Sequence, residues 1–198
     1  MLARIKFHTS GESHGRGLLG IIDGLPAGLE IDEDYIRIQL ARRQMGYGRG
    51  GRMKIEKDHA EIWSGVRHGK TLGSPIGLLV HNRDWENWTK KMSVEPIEDK
   101  IKKVTLPRPG HADLVGVQKY GFDDIRNVLE RSSARETTMR VALGSVCRKL
   151  LEETGINICS RVTKIHDVED ETPLPSKLKT KEINKVADES PVRCLNSD

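Results

Sequence analysis

Two histidines stand in glycine-containing loop sequences beside residue types that bind anions. His14 lies in Gly11-Glu12-Ser13-His14-Gly15, and His111 lies in Arg108-Pro109-Gly110-His111-Ala112-Asp113. Because an imidazole titrates near neutral pH, with a pKa of about 6.5, each histidine could give up a proton and recover it. The glycines allow a ligand to approach the backbone closely. The two stretches predict a site that moves protons, with His14 and His111 as catalytic candidates and Ser13 as a hydrogen-bond donor.

A third stretch, Arg131-Ser132-Ser133-Ala134-Arg135-Glu136-Thr137, leads into the strongest helical pattern of the chain, predicted over 134–154. Free backbone N–H groups at a helix N-terminus, together with hydroxyls and an arginine, bind phosphate well. Two arginines at this positive end of a helix are unfavourable, and a bound anion would offset their cost. A simpler interpretation is that Ser133 caps the helix, since Glu136 stands at the capping-box spacing.

Gly11 to Gly15 also matches G-x-S-x-G, the nucleophile elbow of serine hydrolases. That motif requires a helix directly after the serine. Here two further glycines and β-branched residues follow between positions 16 and 22, which favours a strand. The sequence therefore favours His14, and not Ser13, as the acting group.

A basic segment between Leu40 and Lys54 contains five cationic residues and no acid: Arg42, Arg43, Arg49, Arg52 and Lys54. Such a segment attracts anions, although a solvated basic loop has the same composition. A nucleic-acid-binding segment is disfavoured, because only 4% of the residues are aromatic and one glycine–arginine stretch offers little stacking surface.

The remaining patterns predict the elements that position these loops. A helix is expected from Asp32 to about Gly46, with Ile36 and Leu40 on its buried side. Residues 83–100 are predicted to form a surface excursion, in which Trp85 and Trp88 belong to a flap or, as is favoured, anchor the loop. Alternating or continuous apolar runs predict four strands, at 2–8, 18–26, 61–66 and 76–80.

Composition restricts the class of protein. The 198 residues are 36% hydrophobic with a net charge of +4, and no apolar run approaches the roughly 18 residues of a membrane span. Cys147, Cys159 and Cys194 show no metal or redox spacing, so reduced thiols in a cytoplasmic protein without a metal site are expected. The chain is expected to form one domain over residues 1–198.

In their order and spacing, the three stretches resemble chorismate synthase. The resemblance runs from Phe7 to Cys194 and includes Asp23-Gly24-Leu25-Pro26-Ala27-Gly28, Gly73-Ser74-Pro75-Ile76-Gly77-Leu78 and Gln118-Lys119-Tyr120-Gly121. It implies an α+β fold, a β-α-β sandwich in which helices are enclosed between antiparallel sheets. It also implies a carbon–oxygen lyase that eliminates phosphate, in the 1,4-anti sense, from 5-enolpyruvylshikimate 3-phosphate to give chorismate. The family requires reduced FMN, although the reaction has no net redox change.

The resemblance also implies roles for particular residues. His14 would protonate the departing phosphate, and His111 would manage the charge of the reduced flavin. Arg43 and Arg49 match positions that some members use for NADPH, with substrate binding favoured here. The implied substrate-binding residues are Ser13, Arg43, Arg49 and Arg135, and the implied cofactor-binding residues are Arg131, Ser132, Ser133 and His111.

Members of the family are homotetramers and continue well past the position of Asp198. The chain is therefore expected to match the N-terminal half to two-thirds of the family's length and to have little or no activity alone. Two other functions stay open: an inactive flavin- or anion-binding fragment of the same family and, less favoured, a basic nucleic-acid-binding module. If the chain has the family function, its expected partner is the small-molecule substrate, and binding to nucleic acid or to a membrane is not expected.

Overall fold

The computed structural model describes residues 4–48, 56–173 and 180–196. Short 3-10 helices cover Arg83–Asn87 and Ala134–Glu136. Within the described ranges the strands are β1 (Lys6–Gly11), β2 (Gly17–Asp23), β3 (Ala27–Glu30), β4 (Glu61–Ser64), β5 (Val66–Arg67), β6 (Lys70–Leu72), β7 (Ile76–His81), β8 (Lys164–Ile165) and β9 (Val168–Glu169). The helices are α1 (Glu33–Gln44), α2 (Asp113–Tyr120), α3 (Arg126–Leu129), α4 (Thr137–Glu153) and α5 (Thr180–Glu189).

The central layer is an antiparallel sheet with the strand order β1-β2-β7-β4. In β2, Leu18 and Ile22 are buried while Leu19 and Ile21 are half exposed, so one face of the sheet carries the core. Leu18 is in register with Val80 of β7, which is also buried. These two strands confirm the predictions at 18–26 and 76–80, with β2 ending at Asp23.

The other two predicted strands differ from the structure. The first begins at Lys6 and continues to Gly11, while Met1 to Ala3 lie outside the described residues. The predicted strand at 61–66 is divided between two sheets, because β4 belongs to the four-stranded sheet and β5 to a second sheet ordered β3-β6-β5. Gly65 separates them with a φ of +80°, a left-handed conformation that glycine adopts without strain.

Helix α1 follows the prediction closely. The Asp32 carboxylate accepts a hydrogen bond from Tyr35 N at 2.7 Å, which caps the helix. Ile36 and Leu40 are fully buried. The helix ends at Gln44, two residues before Gly46, where the sequence predicts its end.

Helix α4 was predicted in the right place, but its start differs. Its apolar residues Met139, Leu143 and Val146 are buried in the core cluster shared with the four-stranded sheet. Ser133 Oγ accepts from Arg135 N at 3.2 Å, because the first turn is a 3-10 turn that is tighter than an α-turn. The predicted capping box is wrong: the Glu136 carboxylate instead accepts from Thr9 Oγ1 at 2.7 Å.

The helices and antiparallel sheets together confirm the predicted α+β class. Cys147, Cys159 and Cys194 are free of disulfides, as expected. Within the described ranges, no helix combines the length and the apolar character that crossing a membrane requires.

Two glycines allow close packing between elements. A Cβ at Gly20 of β2 would overlap the Met139 sulfur and lie 3.0 Å from Leu143 Cδ1. A Cβ at Gly116 of α2 would overlap Val128 Cγ1 of α3 and lie 2.7 Å from its Cγ2. The first glycine sets the distance between α4 and the sheet, and the second sets the distance between α2 and α3.

We expect Gly20→Ala to lower the free energy of unfolding by about 1–3 kcal/mol, because the added methyl group overpacks a dense core. Gly144→Ala is the matched control, since a Cβ there meets nothing within 4 Å in the interior of α4. That control should stabilise the protein by up to about 1 kcal/mol. Urea unfolding measures both, and equal effects of the two substitutions would contradict the packing described here.

Candidate active site

Glu130 holds the loop that carries His14 from one side. Ser13 N donates to the Glu130 backbone carbonyl at 2.9 Å, and His14 N donates to Glu130 Oε2 at 2.9 Å. Turn and bend residues follow Ser13 until β2 begins at Gly17. No helix follows the serine, so the structure confirms that this G-x-S-x-G match is not a nucleophile elbow.

Asn82 holds the same loop from its other side. Its Nδ2 group donates to Glu12 O at 3.0 Å and to Gly15 O at 2.8 Å. Its Oδ1 atom accepts from Arg135 Nε at 2.9 Å, and the whole residue is buried. The His14 loop and Arg135 are therefore joined through one amide side chain.

The imidazole of His14 is fixed at one edge and one face. Its Nδ1 atom lies 2.9 Å from Glu130 Oε2 and 3.0 Å from Glu130 Oε1. The Trp88 ring stacks on the imidazole with 3.9 Å between centroids and an interplanar angle of 26°. None of the hydrogen bonds found among the described residues uses His14 Nε2, and the side chain is 22% exposed. The imidazole therefore presents its Nε2 edge for chemistry.

Trp88 and the cations around it complete this part of the site. Trp88 Nε1 donates to Asp84 Oδ2 at 3.0 Å, so the residue is a loop anchor as the sequence predicted. It also covers His14, which the sequence did not indicate. The Arg126 guanidinium lies 5.0 Å from the centre of the Trp88 ring, and Arg126 Nη1 donates to Glu130 Oε1 at 3.0 Å.

Arg135 and Arg43 meet on a buried carboxylate, Asp58. Arg135 Nη1 donates to Asp58 Oδ1, and Arg43 Nη1 donates to Asp58 Oδ2 at 3.3 Å. Arg135 Nη2 also faces Glu56 Oε2 at 3.5 Å, in an ion pair that is almost fully buried. Arginine clustering at the start of α4 is thus offset by the protein's own acids, so it does not by itself require an external anion at Arg135.

The guanidinium of Arg131, like that of Arg135, has one buried nitrogen without a hydrogen-bond partner. Its Nη2 donates to Thr9 O at 2.9 Å and to Thr9 Oγ1 at 2.8 Å. Its Nη1 is buried without a hydrogen-bond partner, which is costly unless a ligand accepts from it. The hydroxyls of the next two residues bond elsewhere: Ser132 Oγ donates to Val128 O at 2.8 Å, and Ser133 Oγ accepts from Arg135 N.

His111 is held by a second buried carboxylate. Its Nδ1 lies 2.6 Å from Oδ1 of Asp113, whose side chain is fully buried. The Arg108 side chain donates to the same carboxylate at 2.9 and 3.0 Å. These bonds, above all those from the Arg108 side chain, hold the pKa of Asp113 far below its ordinary value.

His14 and His111 are connected indirectly, through the packing of helices α2 and α3. Among the described residues, no hydrogen bond or ring contact joins His14 to His111. Helix α2, which begins just after His111, contacts α3, which ends just before Glu130. The hydrogen bond that Arg108 donates to Asp113 raises the pKa of Arg108, and the charge of Glu130 raises it further.

Two predicted site residues remain, Arg49 and Arg43. Arg49 falls outside the residues that the structure describes. Arg43 donates through Nη2 to Ala134 O at 2.9 Å and also lines a cavity of about 500 Å³ along the exposed side of α4. Neither His14 nor His111 lines that cavity, whose cationic residues are Arg42, Arg43, Arg140, Arg148 and Arg193.

The polar residues that hold the predicted site residues were not among those predicted from the sequence. Asp113 and Arg108 stand inside the stretch that contains His111, so a carboxylate two residues after a histidine was an available signal. Glu130 directly precedes Arg131, but nothing local indicated its bond to a residue 116 positions away. Asn82 and Asp58 gave no sequence signal at all.

The fold and site define an α+β protein with two histidines, each bound through Nδ1 to a buried carboxylate. A family model described as chorismate synthase matches residues 5–198. Proteins named chorismate synthase from Enterococcus faecalis and Streptococcus mutans are each 57% identical to the chain, over 97% and 98% of it. A crystal structure of chorismate synthase matches the whole chain with a TM-score of 0.76 and 42% identity. The chain belongs to the chorismate synthase family.

The chain spans about half the length of the curated relatives it matches. It covers 50% of the proteins from Enterococcus faecalis and Streptococcus mutans and 50% of the chain in the crystal structure. The family membership and the α+β fold are therefore established over this half.

We expect Asp113→Asn to lower the free energy of unfolding by about 2 kcal/mol at pH 7, because it removes a buried charged acceptor. Since the pKa of Asp113 is lowered in the folded state, its carboxylate stabilises the fold above the unfolded-state pKa of about 3.9. The stability difference between the wild type and the variant should shrink as the pH falls below about 4, as measured by urea unfolding across pH.

Asp123→Asn is the matched control for this prediction. Asp123 also pairs with a cation, Lys103, but both side chains are largely exposed. Its substitution should change stability less than Asp113→Asn at pH 7. A deficit in the Asp113 variant that stays constant from pH 7 to pH 2 would contradict the ionised state assigned to its carboxylate.

Proposed function

We propose that this chain carries the catalytic histidines of a chorismate synthase. That enzyme eliminates phosphate and a C–H proton from 5-enolpyruvylshikimate 3-phosphate, in the 1,4-anti sense, and gives chorismate. The observation that supports this role best is His14, whose Nδ1 edge is held by Glu130 while its Nε2 edge stays available. A protonated Nε2 group is suited to give its proton to a departing phosphate.

The substrate carries a phosphate and two carboxylates, and the proposed binding residues are Ser13, Arg43, Arg49 and Arg135. Asn82 connects Arg135 to the His14 loop, so a ligand bound at one is positioned relative to the other. Arg135 Nη2 faces Glu56 Oε2 at 3.5 Å but donates no hydrogen bond, so this donor is available to an anionic group. Preorganised donors of this kind stabilise the charge that develops on a leaving phosphate.

The described residues also fit a flavin phosphate. Arg131 Nη1 is a buried donor that lacks an acceptor, and Ser132 and Ser133 follow Arg131 directly in the chain. Arg131, Ser132, Ser133 and His111 would hold reduced FMN, which when bound supplies an electron-rich ring to a reaction without net redox change. Asp113 keeps the His111 ring oriented, so that His111 can respond to charge on a neighbouring group.

Three further properties are proposed from the family resemblance: the localisation, the oligomeric state and the source of electrons for the flavin. The active protein is proposed to be a cytoplasmic homotetramer, and NADPH would contact Arg43 and Arg49 if the protein reduces its own flavin. A flavin-binding fragment without activity is the second candidate, because the chain matches half of each relative's length. A nucleic-acid-binding role is less favoured, since Arg42 pairs with Asp188 and Arg43 with Asp58.

Activity is best tested in a chimera that joins this chain to the unmatched half of the Enterococcus faecalis relative. Under anaerobic conditions with reduced FMN, the chimera should release phosphate and chorismate from 5-enolpyruvylshikimate 3-phosphate. His14→Ala and His111→Ala should each lower kcat at least about 100-fold, because each removes a group that handles protons. Full activity in both folded variants would remove these histidines from the mechanism.

The chain alone separates the two remaining candidates. Binding of reduced FMN without turnover supports the flavin-binding fragment. Salt-dependent binding to DNA or RNA without flavin binding supports the nucleic-acid module and contradicts the family function.

We expect Arg131→Gln to weaken FMN binding to the chain about 10–100-fold, which corresponds to the loss of one or more charge-assisted hydrogen bonds. Arg140→Gln is the matched control, because it also removes one positive charge. Arg140 lies in α4, and its exposed side chain pairs with Glu136. Quenching of flavin fluorescence measures both affinities. Equal losses in the two variants would mean that Arg131 contributes general charge and no specific contact.

A further inference from the structure

We propose that Glu130 is a positioning residue that fixes the tautomer of His14, keeping a proton on Nδ1 and directing Nε2 towards the substrate phosphate. The inference rests on the proposed function for the identity of that phosphate. The assignment of the proton itself depends only on the geometry of this chain. Glu130 contacts His14 and not the reacting atoms, so its role is to act through the histidine.

The bonds to Glu130 determine which atom carries the proton. The side chain of Glu130 is 1% exposed, and it pairs with Arg126 Nη1 at 3.0 Å. It also accepts from His14 N at 2.9 Å. A buried glutamate with a guanidinium and an amide donor is a carboxylate, which has acceptors and no proton to donate. His14 Nδ1, 2.9 Å from Oε2, must then be the donor.

This assignment determines what the other nitrogen can do. With Nδ1 protonated, Nε2 is a donor when the ring is charged and an acceptor when the ring is neutral. A protonated His14 can transfer the Nε2 proton to a phosphate oxygen, and the N–H bonding pair remains on Nε2 as a lone pair. Since Nδ1 keeps its proton throughout, loss and recovery of the transferred proton occur at one atom.

Ring orientation is fixed by the same cluster. Trp88 stacks on the imidazole at 3.9 Å, which prevents the ring from rotating out of the plane that faces Glu130. Arg126 contacts both partners, because it pairs with Glu130 and lies 5.0 Å from the Trp88 ring centre. A free imidazole in water favours the tautomer with the proton on Nε2, so the opposite tautomer requires a partner such as Glu130.

The tautomer is measured directly by the ¹⁵N chemical shifts of the His14 ring in the 198-residue chain at a pH where the ring is neutral. The wild type should show a protonated Nδ1 and a bare Nε2. In Glu130→Gln, the amide can donate as well as accept, so a substantial fraction should shift to the Nε2-protonated tautomer. Glu61→Gln is the matched control, because it alters a carboxylate that faces a different histidine, His81, at 3.4 Å.

Turnover of the chimera then tests the consequence. Glu130→Gln should lower kcat about 100-fold with little change in KM, because it disturbs proton transfer and not substrate binding. Glu130→Asp keeps the charge, so its kcat should lie between those of the wild type and Glu130→Gln. This variant also keeps the test informative if Glu130→Gln folds poorly. Glu61→Gln should leave kcat unchanged.

The two hypotheses fail in different ways. An Nε2-protonated His14 in the wild type, or identical ¹⁵N shifts in the wild type and Glu130→Gln, would overturn the role of Glu130 whatever the activity. A wild-type chimera that shows the Nδ1-protonated ring but releases no phosphate would overturn the proposed function. An unchanged kcat in a Glu130→Gln chimera with an altered tautomer would show that positioning does not matter for the reaction.

Discussion

A carboxylate buried in a protein interior must be surrounded by donors, and this requirement governs the region around Glu130. Its backbone carbonyl and side chain together bind two consecutive residues of the Gly11–Gly15 loop, and Arg126 provides the opposite charge. The loop has no regular structure of its own, so its shape comes from these bonds and from those of Asn82. The position of His14 thus follows from satisfying one buried acid.

The second constraint is charge balance among the arginines that the family function needs. Arg135 and Arg43 share Asp58, and Arg131 lies 3.6 Å from Glu136, so much of the positive charge is compensated before any ligand binds. A site built in this way holds its guanidiniums in fixed orientations and leaves particular N–H groups available. Selectivity for an anion then depends on the placement of those donors more than on total positive charge.

The fold was largely predictable, whereas the support of the site was not. Apolar spacing located α1, α4, β2 and β7, because burial on one face of an element leaves a local pattern in the sequence. The loops containing His14 and His111 were recognised from their glycines and titratable residues. The pairing of His14 with Glu130 joins residues 116 positions apart, and that of Arg135 with Asp58 joins residues 77 apart. Such pairings have no local period, so only the assembled fold reveals them.

The contact between Gly116 and Val128 has a consequence for how the two imidazoles can be changed by evolution or design. His111 lies just before α2, and Glu130, which holds His14, lies just after α3, so these two helices join the segments that carry the two histidine sites. The two helices can pack this closely because Gly116 has no Cβ, which would overlap the Val128 side chain. A larger residue at position 116 would push α2 away from α3, and with it the segment that carries His111 away from the one that carries Glu130.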